Sequence, residues 1–324
     1  MLIAAGISIS SAATAHAAPT TPVISASQTY PQITNLTVDE KNDFVVEPGK
    51  IEVTGNPGDT VVRNISVTSR IREKTRFSVS TEDFQGSQTE DQPVVLLGER
   101  ESPWSFKDKV VPAVSDFTLN FGDRIVLPVT VSIPQDAAPG GYFSAVIISN
   151  APQVNEDAAV TNPTTRIISR IAVLFFIKVN GPTNPNGYTE DFRTSEPHFI
   201  YPSAPSGFKI LFNNTGNQYL VPYGQIQVSN MWGSQVGSIP VNAYFSLPNA
   251  LRYLTIAWND NDFRFGRYTA TLQLSRGYNG IIDTKTIAFW VLPWKILLPV
   301  LAAIVIVAFV IYFIVTRFEF RRKN

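Results

Sequence analysis

Cysteine is absent from the 324 residues. That excludes disulfides, thiolate nucleophiles, iron–sulfur clusters and cysteine-based zinc sites. Histidine is nearly absent: the chain has two, His16 and His198, and His16 falls in what reads as a cleaved leader. Most imidazole catalysis is thereby ruled out. Charge is scarce too, at 16% of residues against roughly 25% in an average soluble domain. The 26 basic residues balance 26 acidic ones, so no basic field exists to hold nucleic acid by counterion release. No G-x-S-x-G elbow or P-loop stands out, and neither a cofactor nor an enzymatic activity is expected. What is present is a 44% apolar composition, enough for a packed core, and length for about two domains at ~100–200 residues each.

The two ends set the expected compartment. Leu2 to Ile9 is apolar and is followed by small residues ending in Ala15-His16-Ala17-Ala18, an A-x-A pattern that reads as a signal peptide over residues 1–18. Near the other end, Ile296 to Val315 is an uncharged apolar run of about 20 residues, or ~30 Å of helix, the thickness of a bilayer core. Trp290 and Trp294 stand at its outer edge as interfacial anchors, and Arg317, Arg321, Arg322 and Lys323 follow it. The positive-inside rule places that tail, residues 317–324, in the cytoplasm. A single span over 294–316 is expected, in contact with membrane lipid and with the bulk of the chain outside the plasma membrane.

Between the ends the chain reads as all-β. Residues 19–42, rich in Thr, Ser, Pro, Gln and Asn, read as a flexible lead-in. Period-two alternation follows: Val61, Ile65 and Val67; Phe77 and Val79; then Ile125, Leu127, Val129, Val131 and Ile133. Ile171 to Val179 is apolar at nearly every position, which predicts a central strand or one covered on both faces. Short strands with turn signals between them predict a sandwich over 43–181. Gly181-Pro182-Thr183-Asn184-Pro185-Asn186-Gly187 supplies a linker, placed at 182–189. A second alternating set fills 190–292: Phe208, Ile210 and Phe212; Ile226 and Val228; Leu254, Ile256 and Trp258; Tyr268, Ala270, Leu272 and Leu274; Ile287, Phe289 and Val291. The fold expected is two immunoglobulin-like β-sandwiches followed by one transmembrane helix. Gly141-Tyr142-Phe143-Ser144-Ala145 and Gly266-Arg267-Tyr268-Thr269-Ala270 form an internal repeat. In it Tyr142 and Tyr268 are structural tyrosine corners, each bonding backbone at the entry to a late strand.

The run from Leu127 to Ile147, LPVTVSIPQDAAPGGYFSAVI, resembles the peptidoglycan-binding domain of WxL-interacting cell-surface proteins. Those proteins share the plan of signal peptide, two immunoglobulin-like domains, one membrane helix and a basic tail. Asn213-Asn214-Thr215-Gly216-Asn217 resembles the additive sandwich domains of bacterial surface proteins. The resemblance implies a bacterial cell-surface scaffold or adhesion protein, with cell-wall glycan (peptidoglycan) bound through the first domain and a partner surface protein through the second. The alternatives are a tethered chaperone-like assembly factor for secreted subunits and an accessory subunit of a membrane complex.

Candidate sites are few. A lone His198 makes no zinc site, and no metal site is expected. The tight carboxylate groups Glu82–Asp83, Glu90–Asp91 and Asp260–Asp262 sit in polar, turn-like sequence, where solvated charge is the ordinary outcome. Trp104, Tyr223 and Trp232 are the candidate ligand-binding aromatics, since sugar faces stack on rings. The competing role for Trp104 is to plug one end of its sandwich.

Overall fold

The computed structural model describes residues 31–89, 92–151, 168–196, 198–258 and 265–317. The leader read over 1–18, together with Arg321, Arg322, Lys323, Glu90, Asp91, Asp260 and Asp262, lies outside these residues. The first sandwich is built from β1 (Gln32–Asn35), β2 (Phe44–Glu47), β3 (Lys50–Gly55), β4 (Thr60–Ser69), β5 (Thr75–Gly86), β6 (Val94–Leu96), β7 (Val110–Pro112), β8 (Asp116–Leu119), β9 (Asp123–Ser132), β10 (Gly140–Ala151) and β11 (Arg170–Val179). One sheet has the order β1-β9-β4-β2, with β7 also on β9; the other runs β3-β11-β10-β5-β6, with β8 also on β5. The chain changes sheet at Pro48, leaving β2 antiparallel to β4 and β3 parallel to β11.

Alternation decides which side chains meet. Ile125, Leu127, Val129, Val131 and Ile133 are all buried and pack with Ile65, Val67, Phe77, Phe175 and Ile177 in one core. Removing such side chains from water is worth about 1.5–3 kcal/mol each. The lead-in read as flexible over 19–42 contains a strand: β1 pairs with β9 over four residues, although all four are exposed. The ladder holds it together with the Asn35 side-chain amide, which donates to Asp123 Oδ1 at 2.9 Å; burial contributes little.

The second sandwich comprises β12 (Gly187–Thr194), β13 (Ile200–Tyr201), β14 (Gly207–Asn214), β15 (Tyr223–Asn230), β16 (Gln235–Val241), β17 (Ala250–Ala257), β18 (Gly266–Ser275) and β19 (Ile282–Val291). Its sheets are β12-β14-β17 and β13-β19-β18-β15-β16. The first strand starts at Gly187, inside the stretch read as linker, because Gly187 pairs with Asn214 and is itself buried. The core of this sandwich joins Phe208, Ile210 and Phe212 to Ile226, Val228, Leu272 and Phe289. Two residues past β19, α1 (Trp294–Arg317) begins. It is long and apolar enough to cross a membrane, and none of it is buried. Pro299 sits in its second turn, where it leaves the Lys295 carbonyl without an intrahelical donor.

Candidate functional site

Strands β10 and β11 are apolar on both faces, and their second face, joined by Phe84 of β5, builds the junction between the sandwiches. Val146, Ile148, Phe175 and Ile177 point into the first core, while their neighbours Phe143, Ala145, Ile147 and Phe176 point outward with Phe84. The rings of Phe84, Phe143 and Phe176 lie within 5.5–5.7 Å of one another. The second sandwich covers them with Leu247 and Ala250, and Tyr219 and Phe245 pack alongside at 5.1 and 5.2 Å from Phe176. Domains in one chain move freely by default unless their interface is large and hydrophobic; this one is a third apolar core. At Gly86 a Cβ would overlap that of Ala250, so the closest approach of the two domains requires glycine.

The two runs that carry the family resemblance meet at the rim. The Gly141 N–H donates to the Asn217 carbonyl at 3.1 Å, and the Asn217 side-chain oxygen accepts from the linker's Asn184 N–H at 2.9 Å. A Cβ on Gly216 would lie 2.6 Å from the Asn186 nitrogen, so the linker can run this close only past glycine. On another side Gln88 donates to the Asn249 carbonyl at 2.6 Å. On a third, Lys50 bridges to Glu52 at 2.6 Å and stands 4.5 Å above the Phe176 ring. The hydrogen bond from Lys50 holds the Glu52 carboxyl below its ordinary range against the opposing effect of burial. Burial, with Glu52 beside it, pushes the Tyr219 hydroxyl up to about 12. A small cleft of about 160 Å³ remains, lined by Gly141, Lys178, Tyr219 and Gly277 among others. A gap of that size admits a few waters or a small ion, not a polypeptide segment.

The candidate aromatics are not brought together. Trp104 is half-buried against the junction cluster, and its carbonyl accepts from the Phe143 N–H at 3.0 Å. Its loop is pinned by Asp83, fully buried on β5, whose Oδ1 accepts the Phe106 N–H at 2.7 Å. Burial raises the Asp83 pKa above 3.8, and its Oδ2 has no partner. With the folded pKa raised, ionisation costs stability; the cost sets in as pH climbs past the unfolded value and is complete above the folded one. Asp83→Asn keeps an acceptor for Phe106, so it is expected to raise the thermal midpoint at about pH 7 and to confer no gain near about pH 3. Thermal melts across that range check the sign.

Tyr142 donates to the Ala138 carbonyl at 3.0 Å and packs tilted against Phe106, while Tyr268, buried, donates to the Phe265 carbonyl at 3.3 Å. Tyr223 and Trp232 are both exposed, at opposite ends of β15. Trp290 is half-buried, Trp294 exposed, and Arg317 closes α1. His198 is exposed beside Tyr201. Glu82 pairs with Arg170 at 2.9 Å. Among the described residues no group of three or more His, Asp or Glu side chains is placed to hold a metal.

One surface had no sequence signal. Among the described residues strand β17 pairs only with β14, so along its other side no described strand hydrogen-bonds to it. Leu254 and Ile256 turn to the core, while Thr255 and Ala257 are exposed. An unpaired edge of eight residues is a template for another chain. Alternation shows that a strand exists but not which of its sides is left without a neighbour.

No family model and no curated protein matches the chain. Among solved structures it is similar to a chain of the chaperone–tip adhesin complex of CFA/I fimbriae, at 14% identity over 78% of this chain and 99% of that one, with a TM-score of 0.38. It is also similar to the CsuC–CsuE chaperone–tip subunit complex of Acinetobacter baumannii, at 10% identity over 77% and 99%, TM-score 0.36. A third is the Pseudomonas aeruginosa CupB2 chaperone, at 10% identity over 76% and 100%, TM-score 0.34. The chain's own sheets define the fold: all-β, two sandwiches, with one C-terminal apolar helix.

Proposed function

We propose that the chain is a membrane-anchored, non-enzymatic binding protein whose rigid two-sandwich arm holds a polypeptide partner, either a surface protein or a secreted subunit awaiting assembly. The observation that carries this reading is the open edge of β17, set beside a domain junction that is already filled. A partner cannot enter between the sandwiches, where Phe84, Phe143 and Phe176 are covered by Leu247 and Ala250. It can add a strand along β17, where main-chain hydrogen bonds supply affinity and alternate side chains supply selectivity. Helix α1 anchors the arm, and the basic residues after it favour a cytoplasmic tail with the sandwiches outside. The surface-protein partner implied by the WxL-interacting likeness belongs to this same class. The wall-glycan role implied for the first domain draws less support, since Trp104 packs inward on the junction.

A photo-crosslinking residue at Thr255, exposed on β17, tests the reading in intact cells producing the full chain. The expected result is a discrete polypeptide adduct that is lost in the Tyr253→Lys/Ala257→Lys background, because edge lysines oppose strand addition. No adduct, together with sedimentation of the full chain on bare peptidoglycan, would instead establish wall binding and overturn the partner reading.

A further inference from the structure

The bottom of the second sandwich is unusually apolar for a soluble domain. In the five-stranded sheet, β19 ends at Val291 opposite Gly266, the first residue of β18. On one side of β19 stand Phe199 and Ile200, the latter in register with Trp290. On the other side Phe265 precedes β18, and the hairpin joining β15 to β16 carries Met231 and Trp232. All five side chains are exposed, Trp232 by 77% and Phe199 by 65%. They lie along one end of the sheet, opposite the end that meets the first sandwich.

The hairpin is built to present its tip. The Asn230 side-chain oxygen accepts the Trp232 and Ser234 N–H groups, both at 3.0 Å. Gly233 takes the positive φ of +81° that completes the turn. Met231 lies over Gly266, where a Cβ would stand 2.9 Å from its terminal methyl, so hairpin and strand share one surface. A bare tryptophan at a fixed hairpin tip, grouped with four other exposed apolar side chains, marks an interaction surface.

The position of α1 identifies that partner. Only Leu292 and Pro293 separate β19 from the helix, a reach of about 7 Å. That link is tied down: Leu292 donates to Tyr201 at 2.7 Å and Trp294 to Leu292 at 2.8 Å. The headgroup layer on one side of a bilayer is itself roughly 5–8 Å deep. A helix that enters hydrocarbon just past Trp294 therefore holds the end of the sandwich at headgroup depth. Tryptophan favours that depth, with an apolar ring and one N–H to satisfy. Arg267, exposed and in register with Trp290, and Lys295 add cationic groups on the same side, which suits anionic lipid.

We propose that the base of the second sandwich is a lipid-docking surface, with Trp232 and its apolar neighbours seated in the headgroup layer of the bilayer that α1 crosses. This rests on the anchored reading above. Docking at a second point beside the helix fixes the tilt of the arm and sets the height at which the β17 edge is presented.

The chain has no cysteine, so single-cysteine labelling is clean. The full chain is reconstituted in phosphatidylcholine–phosphatidylglycerol vesicles with an environment-sensitive fluorophore at Ser234→Cys, at Tyr223→Cys on the far end of β15, or at Ile306→Cys within α1. Headgroup-depth nitroxide lipid is expected to quench the probe at 234 and not at 223, while acyl-chain nitroxide quenches the probe at 306. Adding Trp232→Ala is expected to remove most of the quenching at 234. Quenching at 306 with a probe at 234 open to aqueous iodide would overturn the docking surface and leave the anchor standing. A blue-shifted probe at 234 without lipid quenching would mean that protein, such as a second copy, covers the patch, which also overturns it. No quenching at 306 would remove the anchor and the docking surface together.

Discussion

Gly86→Val is expected to separate the two sandwiches. A Cβ at this position overlaps that of Ala250 and lies 3.1 Å from that of Leu247. Both obstacles are Cβ atoms fixed to backbone, so no rotamer change relieves the clash. The relief open to the chain is for the second domain to lift away from the sheet, exposing Phe84, Phe143 and Phe176. Losing the cover of even two rings costs about 3–6 kcal/mol, more than a polar rim of a few neutral hydrogen bonds restores at ~0.5–1.5 kcal/mol each. Each core keeps its own packing, so both domains are expected to stay folded. The measurement is a distance distribution between labels at Arg63→Cys and Ser238→Cys in the full chain, narrow in the parent and broad in the variant. Protease susceptibility within residues 181–186 is expected to rise with it. Gly49→Val is the matched control, since nothing stands within 4 Å of a Cβ there. A narrow distribution in Gly86→Val would mean that the junction is not what orients the arm.

The junction also marks where sequence reading succeeds and where it stops. The alternation from Ile125 to Ile133 identifies β9 and its buried face without help, because one side of that strand meets a core and the other is mostly half-covered polar sequence. The continuous run Ile171 to Val179 is legible as a strand covered on both faces, and the structure supplies the second cover: Phe175 and Ile177 serve the first core, Phe176 the junction. What covers Phe176 is not legible, because Leu247 and Ala250 lie far along the chain in an ordinary loop and strand start. Tyr142 is legible, since its hydrogen bond reaches only back to Ala138. Strands β1 and β6 to β8 are too short for any period to register, and their placement follows from neighbours they meet only in the folded chain. Trp104 and Trp232 show the remaining gap: one packs against the junction and the other stands bare at a hairpin tip, and composition around them does not separate the two.

The same logic of one residue serving two elements predicts that Asp283→Ala destabilises the second sandwich by about 1.5–3 kcal/mol, the cost of removing a charged hydrogen-bond partner. Asp283, only 10% exposed at the side chain, takes the Arg276 guanidinium at 2.6 Å on Oδ1 and the Thr189 N–H at 2.6 Å on Oδ2. It therefore clamps β12 to the β18–β19 hairpin, and β19 leads directly into α1. Removing the carboxylate leaves a guanidinium and a backbone N–H both short of a partner. Burial by itself would raise the Asp283 pKa, but the hydrogen bonds from Arg276 and Thr189 outweigh it and hold the carboxyl below 3.8. The pair's contribution is then fully present above the unfolded value and is lost as pH falls through the lowered folded value. Denaturant titration of the full chain in detergent, followed by fluorescence of the buried Trp258, reads both effects. The parent is expected to lose stability below about pH 4, and Asp283→Ala to start lower and lose less over the same interval. Asp283→Asn, which still accepts from Thr189, is expected to fall between the two at about pH 7 and to lack the acid step at this site. Equal midpoints for Asp283→Ala and the parent would show that β12 is held to the hairpin by packing alone.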